Sequence, residues 1–260
     1  MKNLVVITGA SSGIGKALAK CFARKEYDVL ATGRNEIALK ELQLEASSKS
    51  KKIETYACDL TNLSELDKLV QRFQPGDEIA FLIHCAATSK PHLPLNKVPL
   101  SDSQNTIYLN ALVPVHLTEK LSPYFRSGSE TRVLFMGSDY VKENGKTRPY
   151  ILGVYAISKT ALDKAIPYLR AETTWAIGYV NPGSTGTPMR NDILSAMYKH
   201  GIFSINAEKV ANPDEVAEFI FSVLTRASDS SYKTTNWDFR NPVHHDEVKP
   251  LEIPQIRAKL

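Results

Sequence analysis

The sequence is poor in cysteine, with only Cys21, Cys58 and Cys85 among its 260 residues. Their number is odd and their spacing is not that of metal ligands, which argues against a disulfide framework and against a cysteine-based metal site. Free thiols in a reducing compartment are the simplest interpretation. We therefore expect a cytoplasmic protein without a bound metal.

Long apolar runs and a strong excess of charge are also missing. No apolar run approaches the roughly 18 residues of a membrane helix. The apolar run at residues 4–7 is too short for a signal peptide. The 32 basic and 28 acidic residues leave a net charge of +4, spread along the chain. Neither a membrane nor a nucleic acid is expected as a partner. The terminal Ala-Lys-Leu is similar to the peroxisomal Ser-Lys-Leu signal, which stays open as an alternative address.

Short β-branched runs alternate with helical patterns along the chain. Several runs are continuously apolar, which is typical of strands covered on both faces. The alternation predicts an α/β fold, a doubly wound parallel sheet of about seven strands with helices on both faces. A single domain over residues 1–260 is expected, with two small domains as the alternative. The predicted strands are residues 4–8, 28–32, 52–57, 79–84, 132–136, 175–180 and 232–237.

The first strand leads into a glycine-rich turn, TGASSGIG, with glycines at positions 9, 13 and 15. Glycine is needed where a chain turns tightly and where its backbone must approach a pyrophosphate. The following helix offers unpaired N–H groups and the positive end of its dipole. A plain tight turn is the alternative, but the strand before and the helix after favour a nucleotide site.

A tyrosine and a lysine stand four residues apart in GVYAISKTAL, residues 153–162. On a helix, Tyr155 and Lys159 lie on the same face. A free tyrosine has a pKa near 10 and is a slow acid–base group at neutral pH, whereas a nearby ammonium group favours the phenolate. The pair predicts a general acid–base group with a lowered tyrosine pKa.

With these motifs in this order, the chain resembles the short-chain dehydrogenase/reductase family, in its single-domain, Rossmann-like branch. The resemblance implies hydride transfer between NAD or NADP and a carbonyl or alcohol carbon. Tyr155 matches the family's general acid and base, and Lys159 also matches its ligand for the nicotinamide ribose. Ser138 matches the serine that holds the substrate oxygen, and Asn110 matches the asparagine that bends a long helix and positions a water. The family commonly forms dimers or tetramers, which implies a homodimer or homotetramer built on helices at about 101–125 and 154–170.

The resemblance also implies the cofactor contacts, with Asp59 at the adenine ring and the segment NPGSTGTPM at the nicotinamide. The predicted cofactor-binding residues are Gly9, Ser11, Ser12, Gly13, Ile14, Gly15, Arg34, Asp59, Leu60, Ala86, Tyr155, Lys159, Pro182, Gly183, Thr185 and Thr187.

The second strand ends in ATGRN, with Thr32 where a Rossmann strand normally carries an acid for the ribose hydroxyls. No carboxylate repels a 2′-phosphate there, and Arg34 offers a guanidinium group to hold it. We therefore predict NADP rather than NAD, with a turn-capping surface arginine as the alternative.

The chain departs from the family pattern after the fourth strand, where His84–Ala87 reads HCAA instead of Asn-Asn-Ala-Gly. Ala87 is expected to narrow the backbone near the cofactor ribose, and His84 to replace an asparagine that ties strands together. Pro167 is expected to kink or shorten the helix that carries the Tyr–Lys pair.

The function predicted is that of an NADP-dependent carbonyl reductase. The segment at about 186–211 is expected to close over the substrate, and it carries no charged cluster, so a small, uncharged ketone or aldehyde is expected. Its apolar side chains fit a core or an oligomer contact equally well; they are Met189, Ile193, Met197, Tyr198 and Phe203. The alternatives are an NAD-dependent alcohol or sugar dehydrogenase and a non-catalytic NADP-binding regulator, although a regulator has no chemical need for Ser138, Tyr155 and Lys159.

Overall fold

The computed structural model describes residues 3–46, 53–127, 130–141, 149–203 and 210–249. Within these ranges, seven parallel strands form one sheet in the order β3-β2-β1-β4-β5-β6-β7. The strands are β1 Leu4–Thr8, β2 Asp28–Gly33, β3 Ile53–Ala57, β4 Ile79–His84, β5 Arg132–Met136, β6 Ala176–Asn181 and β7 Asn236–Asp238. The strand order reverses between β1 and β4, which is the point where doubly wound sheets bind their ligands.

Helices cover both faces of the sheet, so the predicted single-domain, Rossmann-like α/β fold is confirmed. The α-helices are α1 Gly13–Arg24, α2 Glu36–Ala46, α3 Leu63–Val70, α4 Leu100–Ile107, α5 Val113–Leu121, α6 Gly153–Glu172, α7 Pro188–Lys199, α8 Pro213–Arg226, α9 Asp229–Thr234 and α10 Pro242–Glu247. Val5 and Ile7 of β1 face the core layer under α1 and α8, whereas Leu4 and Val6 face the layer under α5 and α6. Burial on both faces explains why this strand is continuously apolar.

The last predicted strand, residues 232–237, is wrong in its first half. Tyr232 lies in α9, and β7 begins only at Asn236. Ser228 starts α9 by accepting a hydrogen bond from the Ser231 amide. The Tyr232 ring is fully buried, and its hydroxyl donates to the Val133 carbonyl over 2.9 Å. Packing onto the sheet therefore outweighs the β preference of tyrosine and threonine in this segment.

The expected shortening of the Tyr–Lys helix at Pro167 is also wrong, because α6 continues to Glu172. Pro167 lies on the exposed side of the helix. The carbonyl group that loses its partner to a proline can bond to water on such a face, which reduces the cost of the interruption.

The long helix expected at about 101–125 is divided by a π-helical segment, Tyr108–Leu112, between α4 and α5. Asn110 lies inside this segment, at the place where the resemblance implies a distorted helix. In the described part of the chain, no helix is both long enough and apolar enough to cross a bilayer. The Ala-Lys-Leu terminus lies outside the described residues.

Candidate active site

The glycine-rich turn after β1 is packed so closely that side chains do not fit. Gly9 has a φ of +68°, and a Cβ atom there would lie 2.6 Å from the Ala86 nitrogen at the end of β4. A Cβ atom on Gly15 would lie 2.3 Å from the Gly9 carbonyl oxygen. The Ser12 side chain makes no capping bond to α1. The backbone therefore forms a shallow cradle at the start of α1, with N–H groups available for an anion.

Arg34 follows β2 at one side of this cradle and is exposed. A Cβ atom on Gly33 would lie 3.1 Å from the Ser11 hydroxyl, so the hydroxyl packs against the turn that carries Arg34. Thr32, which takes the place of the usual acid, is fully buried. The described residues thus present a guanidinium group and a hydroxyl at this edge of the pocket, and Asp59 also lies in the pocket lining, near enough for the Arg34 charge to act on it.

At the other end of the pocket, Tyr155 and Lys159 are only 8% and 4% exposed. The Lys159 Nζ atom donates to the Met136 carbonyl over 3.1 Å and lies 6.0 Å from the centre of the Tyr155 ring. Ser138 follows β5, and its hydroxyl forms a hydrogen bond with Tyr155. One strand end and one helix therefore bring together three of the four predicted catalytic side chains, Asn110 being the fourth.

Burial controls the proton affinities of this group. It raises the pKa of Tyr155 above its ordinary value, the Ser138 hydrogen bond opposes this shift, and the Asp139 carboxylate adds to it. Burial also lowers the pKa of Lys159 to about 8. Burial thus opposes the predicted lowering of the Tyr155 pKa, and that lowering stays a prediction.

Asn110 lies behind the pocket rather than in its lining. Its amide oxygen accepts from the Thr88 N–H over 2.9 Å, and its amide nitrogen donates to the Thr88 carbonyl over 2.7 Å and to the Ser158 hydroxyl over 2.9 Å. It thereby ties the segment after β4 to α6, next to Lys159. Asn110 acts on α6 through these bonds. Its role in positioning a water molecule stays a prediction.

Most of the predicted cofactor-binding residues line one continuous pocket, and only two of them lie outside its lining. The lining residues that were predicted are Gly9, Ser11, Ser12, Gly13, Ile14, Gly15, Arg34, Asp59, Leu60, Ala86, Tyr155, Lys159, Pro182 and Thr187. Gly183 instead lies under Arg240, and the Thr185 hydroxyl is turned towards the Pro182 and Gly183 carbonyls.

Sequence reasoning missed several lining residues, most of them neighbours of predicted ones. They are Gly33, Asn35, Cys58, Cys85, Leu109, Met136, Gly137 and Pro188. Cys85 and Ala87 both line the pocket, and the departure from Asn-Asn-Ala-Gly was the signal for them. The three cysteines are free thiols, as predicted.

The His84 side chain, at the end of β4, contacts both a helix and the neighbouring strand β5. Its Nε2 atom lies 2.9 Å from the Thr118 hydroxyl of α5, and its ring stacks on Phe135 with centres 4.9 Å apart. Burial lowers its pKa to about 3, so the ring is neutral. No cluster that could hold a metal ion occurs among the described residues.

The segment expected over the substrate divides into three environments. Met189 lines the pocket, whereas Met197 is buried against Ile151 and Leu152. Tyr198 and Phe203 are 74% and 72% exposed, and their rings meet edge to face. Residues 204–209 of this segment lie outside the described ranges.

A family model described as short chain dehydrogenase matches residues 3–197 of this chain. The chain belongs to the short-chain dehydrogenase/reductase family. It is 31% identical over 174 residues to the fatty acyl-CoA reductase of Acinetobacter baylyi, a match covering 65% of this chain and 57% of that protein. It is 26% identical over 245 residues to the 3-oxoacyl-acyl-carrier-protein reductase FabG of Thermotoga maritima, covering 89% of this chain and 93% of that protein. The family is one of oxidoreductases.

Two solved members of the short-chain dehydrogenase/reductase family share the fold. A short chain dehydrogenase of Shigella flexneri complexed with NADP has a TM-score of 0.77, with 92% of this chain and 98% of that chain covered. A short-chain dehydrogenase of Sphingobium yanoikuyae in complex with NADPH has a TM-score of 0.71, with 84% and 82% covered. Both are 22% identical, so the likeness concerns the fold. The chain spans 57% of the Acinetobacter protein and 41% of the very-long-chain 3-oxoacyl-CoA reductase of Pyricularia oryzae.

The burial of Lys159 has a consequence for stability. Its pKa is about 8 in the folded chain and 10.5 ordinarily. Between these two pH values the unfolded chain binds one more proton than the folded chain, so the cost of burying the charged Lys159 falls as pH rises. We compare the free energy of unfolding of wild type with that of Lys159→Met. We expect the difference, wild type minus variant, to increase by up to about 1.4 kcal/mol per pH unit between about pH 8 and 10.5.

Urea unfolding of both chains at pH 7, 8, 9 and 10 measures this difference. Lys164→Met, which removes an exposed lysine from the same helix, is the control for a methionine on α6. A pH-independent difference between wild type and Lys159→Met would contradict the burial of a charged lysine.

Proposed function

We propose that the protein is an NADP-dependent carbonyl reductase. The observation that carries the proposal is one pocket with a guanidinium group at its outer edge and a buried tyrosine–lysine pair at its inner end. A dinucleotide with a 2′-phosphate fits the first feature, and proton transfer to a carbonyl oxygen fits the second.

The residues around the turn suit an NADP pyrophosphate. A Cβ atom at Gly9 or Gly15 would collide with backbone, so the chain keeps glycine where a phosphate has to approach. Ser11 and Arg34 then suit the 2′-phosphate, and Lys159 suits the nicotinamide ribose. NADP and NADPH are also the ligands of the Shigella and Sphingobium proteins, which supports the same choice here.

Bound NADPH supplies the hydride. The Ser138 hydroxyl donates a hydrogen bond to the substrate oxygen, and the Tyr155 hydroxyl gives that oxygen its proton. Because burial raises the pKa of Tyr155, the phenol keeps its proton at neutral pH, as an acid for reduction requires. Lys159 holds its ammonium group close to the phenolate that forms.

The substrate proposed is an uncharged ketone or aldehyde bound beside Met189, under the segment at about 186–211. The names of the Acinetobacter and Thermotoga relatives describe the reduction of acyl or 3-oxoacyl groups, which supports a carbonyl substrate with an apolar part. A panel of uncharged ketones, aldehydes and 3-oxoacyl thioesters, assayed by consumption of NADPH and of NADH, tests the proposal. Consumption that needs a carbonyl and prefers NADPH supports it, and no carbonyl-dependent consumption of either cofactor would refute it.

A homodimer or homotetramer through the long helices is part of the same proposal. Large apolar side chains are exposed on and beside α4 and α6, which suits a contact between copies. They are Leu100, Leu112, Ile157 and Tyr168. Sedimentation of the purified chain measures the state, and a monomer at micromolar concentration would refute this part.

Arg34 should determine the choice between the cofactors. Replacing it with alanine removes a charge-assisted contact to the 2′-phosphate, which is worth about 1.5–3 kcal/mol, or about 10- to 150-fold in NADPH affinity. NADH lacks that phosphate, so its affinity should stay nearly unchanged. Fluorescence titration of both cofactors measures the effect. Arg24→Ala, at an exposed ion pair with Glu218, is the control, and an equal loss of both cofactors in Arg34→Ala would overturn the assignment.

A further inference from the structure

Arg240 lies just after β7, beyond the segment that the family model matches. Its guanidinium group is shared between two carboxylates. The Nε atom donates to the Asp238 Oδ1 over 3.1 Å, and Nη2 donates to the Asp238 Oδ2 over 2.9 Å. Nη1 and Nη2 also donate to the two oxygens of Asp139. Asp139 directly follows Ser138, so Arg240 anchors the residue next to the predicted catalytic serine.

Asn181, at the end of β6, closes this cluster. Its amide nitrogen donates to the Asp139 Oδ1 over 2.6 Å and to the Asp238 Oδ2 over 3.1 Å, and its oxygen accepts from the Gly183 N–H over 3.1 Å. A Cβ atom on Gly183 would lie 2.8 Å from the Arg240 Cδ atom, so the arginine stem covers this glycine. The ends of β5, β6 and β7 are therefore fixed to one another by a single set of polar side chains.

The two carboxylates are well shielded, with Asp139 15% and Asp238 13% exposed at the side chain, whereas Arg240 is 31% exposed. Ion pairs that are partly removed from water depend strongly on geometry. A fork-shaped guanidinium group meets this requirement because it bonds both carboxylates in fixed directions. The cluster is therefore suited to hold Asp139, and with it Ser138, in one position.

The position of Asp139 also affects the chemistry of the site. Its carboxylate disfavours the phenolate form of Tyr155, and the Ser138 hydroxyl favours that form. A guanidinium group bonded to Asp139 compensates its negative charge. Loss of Arg240 would thus leave a less compensated carboxylate near Tyr155 and a less firmly held serine, and both changes oppose ionisation of the phenol.

We propose that Arg240 is a positioning residue of the active site, which acts through Asp139 to hold Ser138 against Tyr155. The proposal rests on the catalytic roles proposed above for Ser138 and Tyr155. It assigns a function to a part of the chain that carries none of the family motifs.

The other titratable groups around Tyr155 lie on four elements. The Tyr140 ring, in the segment after β5, has its centre 5.6 Å from that of Tyr155. Lys159 is on the same helix as Tyr155, and Cys85 at the end of β4 interacts electrostatically with Lys159. Tyr179 of β6 interacts with Tyr155 and accepts a hydrogen bond from the Ser138 N–H through its hydroxyl. These groups are unchanged in the variants below, so a shift between the variants reports the Arg240–Asp139 pair.

The test follows the ionisation of Tyr155 without requiring turnover. The chain is labelled with 3-fluorotyrosine, whose phenol is more acidic than that of tyrosine, and the Tyr155 signal in the fluorine NMR spectrum is assigned by its loss in Tyr155→Phe. We expect Arg240→Gln to raise the titration midpoint by at least about half a pH unit, because an uncompensated negative charge disfavours phenolate. Asp139→Asn should lower the midpoint, and Arg240→Gln/Asp139→Asn should titrate no higher than wild type.

Arg24→Gln, at the exposed pair with Glu218, is the control and should leave the midpoint unchanged. An unshifted midpoint in Arg240→Gln, or a double variant as high as Arg240→Gln, would overturn the proposal. If Arg240→Gln does not fold, Asp139→Asn alone decides, since an unchanged midpoint there shows that Asp139 does not act on Tyr155.

Turnover gives a second readout on any carbonyl that the wild type reduces. We expect Arg240→Gln to lower kcat at least about tenfold, as small displacements of catalytic groups do, with less change in the KM for NADPH. A wild type that reduces no carbonyl would refute the proposed function, while the fluorine titration would still decide the role of Arg240. A variant with reduced thermal stability but wild-type midpoint and kcat would show a structural role only and would refute the inference.

Discussion

Tyr155→Phe should lower carbonyl reduction at least about 10²-fold, and up to about 10⁴-fold, while the chain still binds NADPH. The phenyl ring fills the same buried space beside Lys159 and keeps the contact with Tyr140, whose ring centre lies 5.6 Å away. What it lacks is the hydroxyl proton for the substrate oxygen and the partner for Ser138. Packing is thus retained and proton transfer is lost.

Single-turnover consumption of NADPH, together with a cofactor titration, measures this effect. Tyr168→Phe is the matched control, because Tyr168 lies on the same helix and is 68% exposed. The control should keep wild-type rates. A Tyr155→Phe chain that retains more than about a tenth of wild-type turnover would show that another group supplies the proton.

Gly9→Ala should weaken cofactor binding and destabilise the chain. The new methyl group would lie 2.6 Å from the Ala86 nitrogen, which is backbone and cannot rotate away. Overpacking of this kind typically costs about 1–3 kcal/mol, and an alanine in the left-handed region costs roughly 1 kcal/mol more. Because Gly9 and Ala86 both line the pocket, we expect the affinity for NADPH to fall at least about tenfold.

Gly201→Ala separates collision from backbone strain. Gly201 has a φ of +67°, nearly that of Gly9, but nothing lies within 4 Å of a Cβ atom built there. Both variants should lose stability in urea through the strained φ, and only Gly9→Ala should also lose cofactor affinity and further stability. Equal behaviour of the two variants would show that the turn after β1 tolerates a side chain and is not a close phosphate cradle.

The sheet could be predicted from the sequence because its central strands are apolar on both faces. Val5 and Ile7 pack against the helices on one face of the sheet, and Leu4 and Val6 pack against those on the other face. The run LVVIT therefore fits a strand that is covered on both faces and few other positions in a fold. The glycine-rich turn and the Tyr–Lys spacing could also be recognised in the sequence, because each pattern spans only a few consecutive residues.

What could not be predicted depends on contacts between distant parts of the chain. The local sequence around Tyr232 predicts a strand, but its hydroxyl donates a hydrogen bond to the carbonyl of Val133, 99 positions away. Arg240 and Asp139 are 101 residues apart, and the sequence around each contains no pattern that predicts their ion pair. The direction of the Tyr155 pKa shift likewise depends on burial by the whole fold, which a four-residue spacing does not contain.

Transfer of deuterium from NADPH labelled at C4 of the nicotinamide to the carbonyl carbon of a reduced substrate tests the central claim most directly. With wild-type chain and a ketone found in the panel, we expect one of the two C4-labelled diastereomers to place its deuterium on the product alcohol carbon, and the Tyr155→Phe chain to form almost no labelled product. Alcohol formed without deuterium from either diastereomer, or labelled equally well by Tyr155→Phe, would contradict hydride transfer assisted by Tyr155.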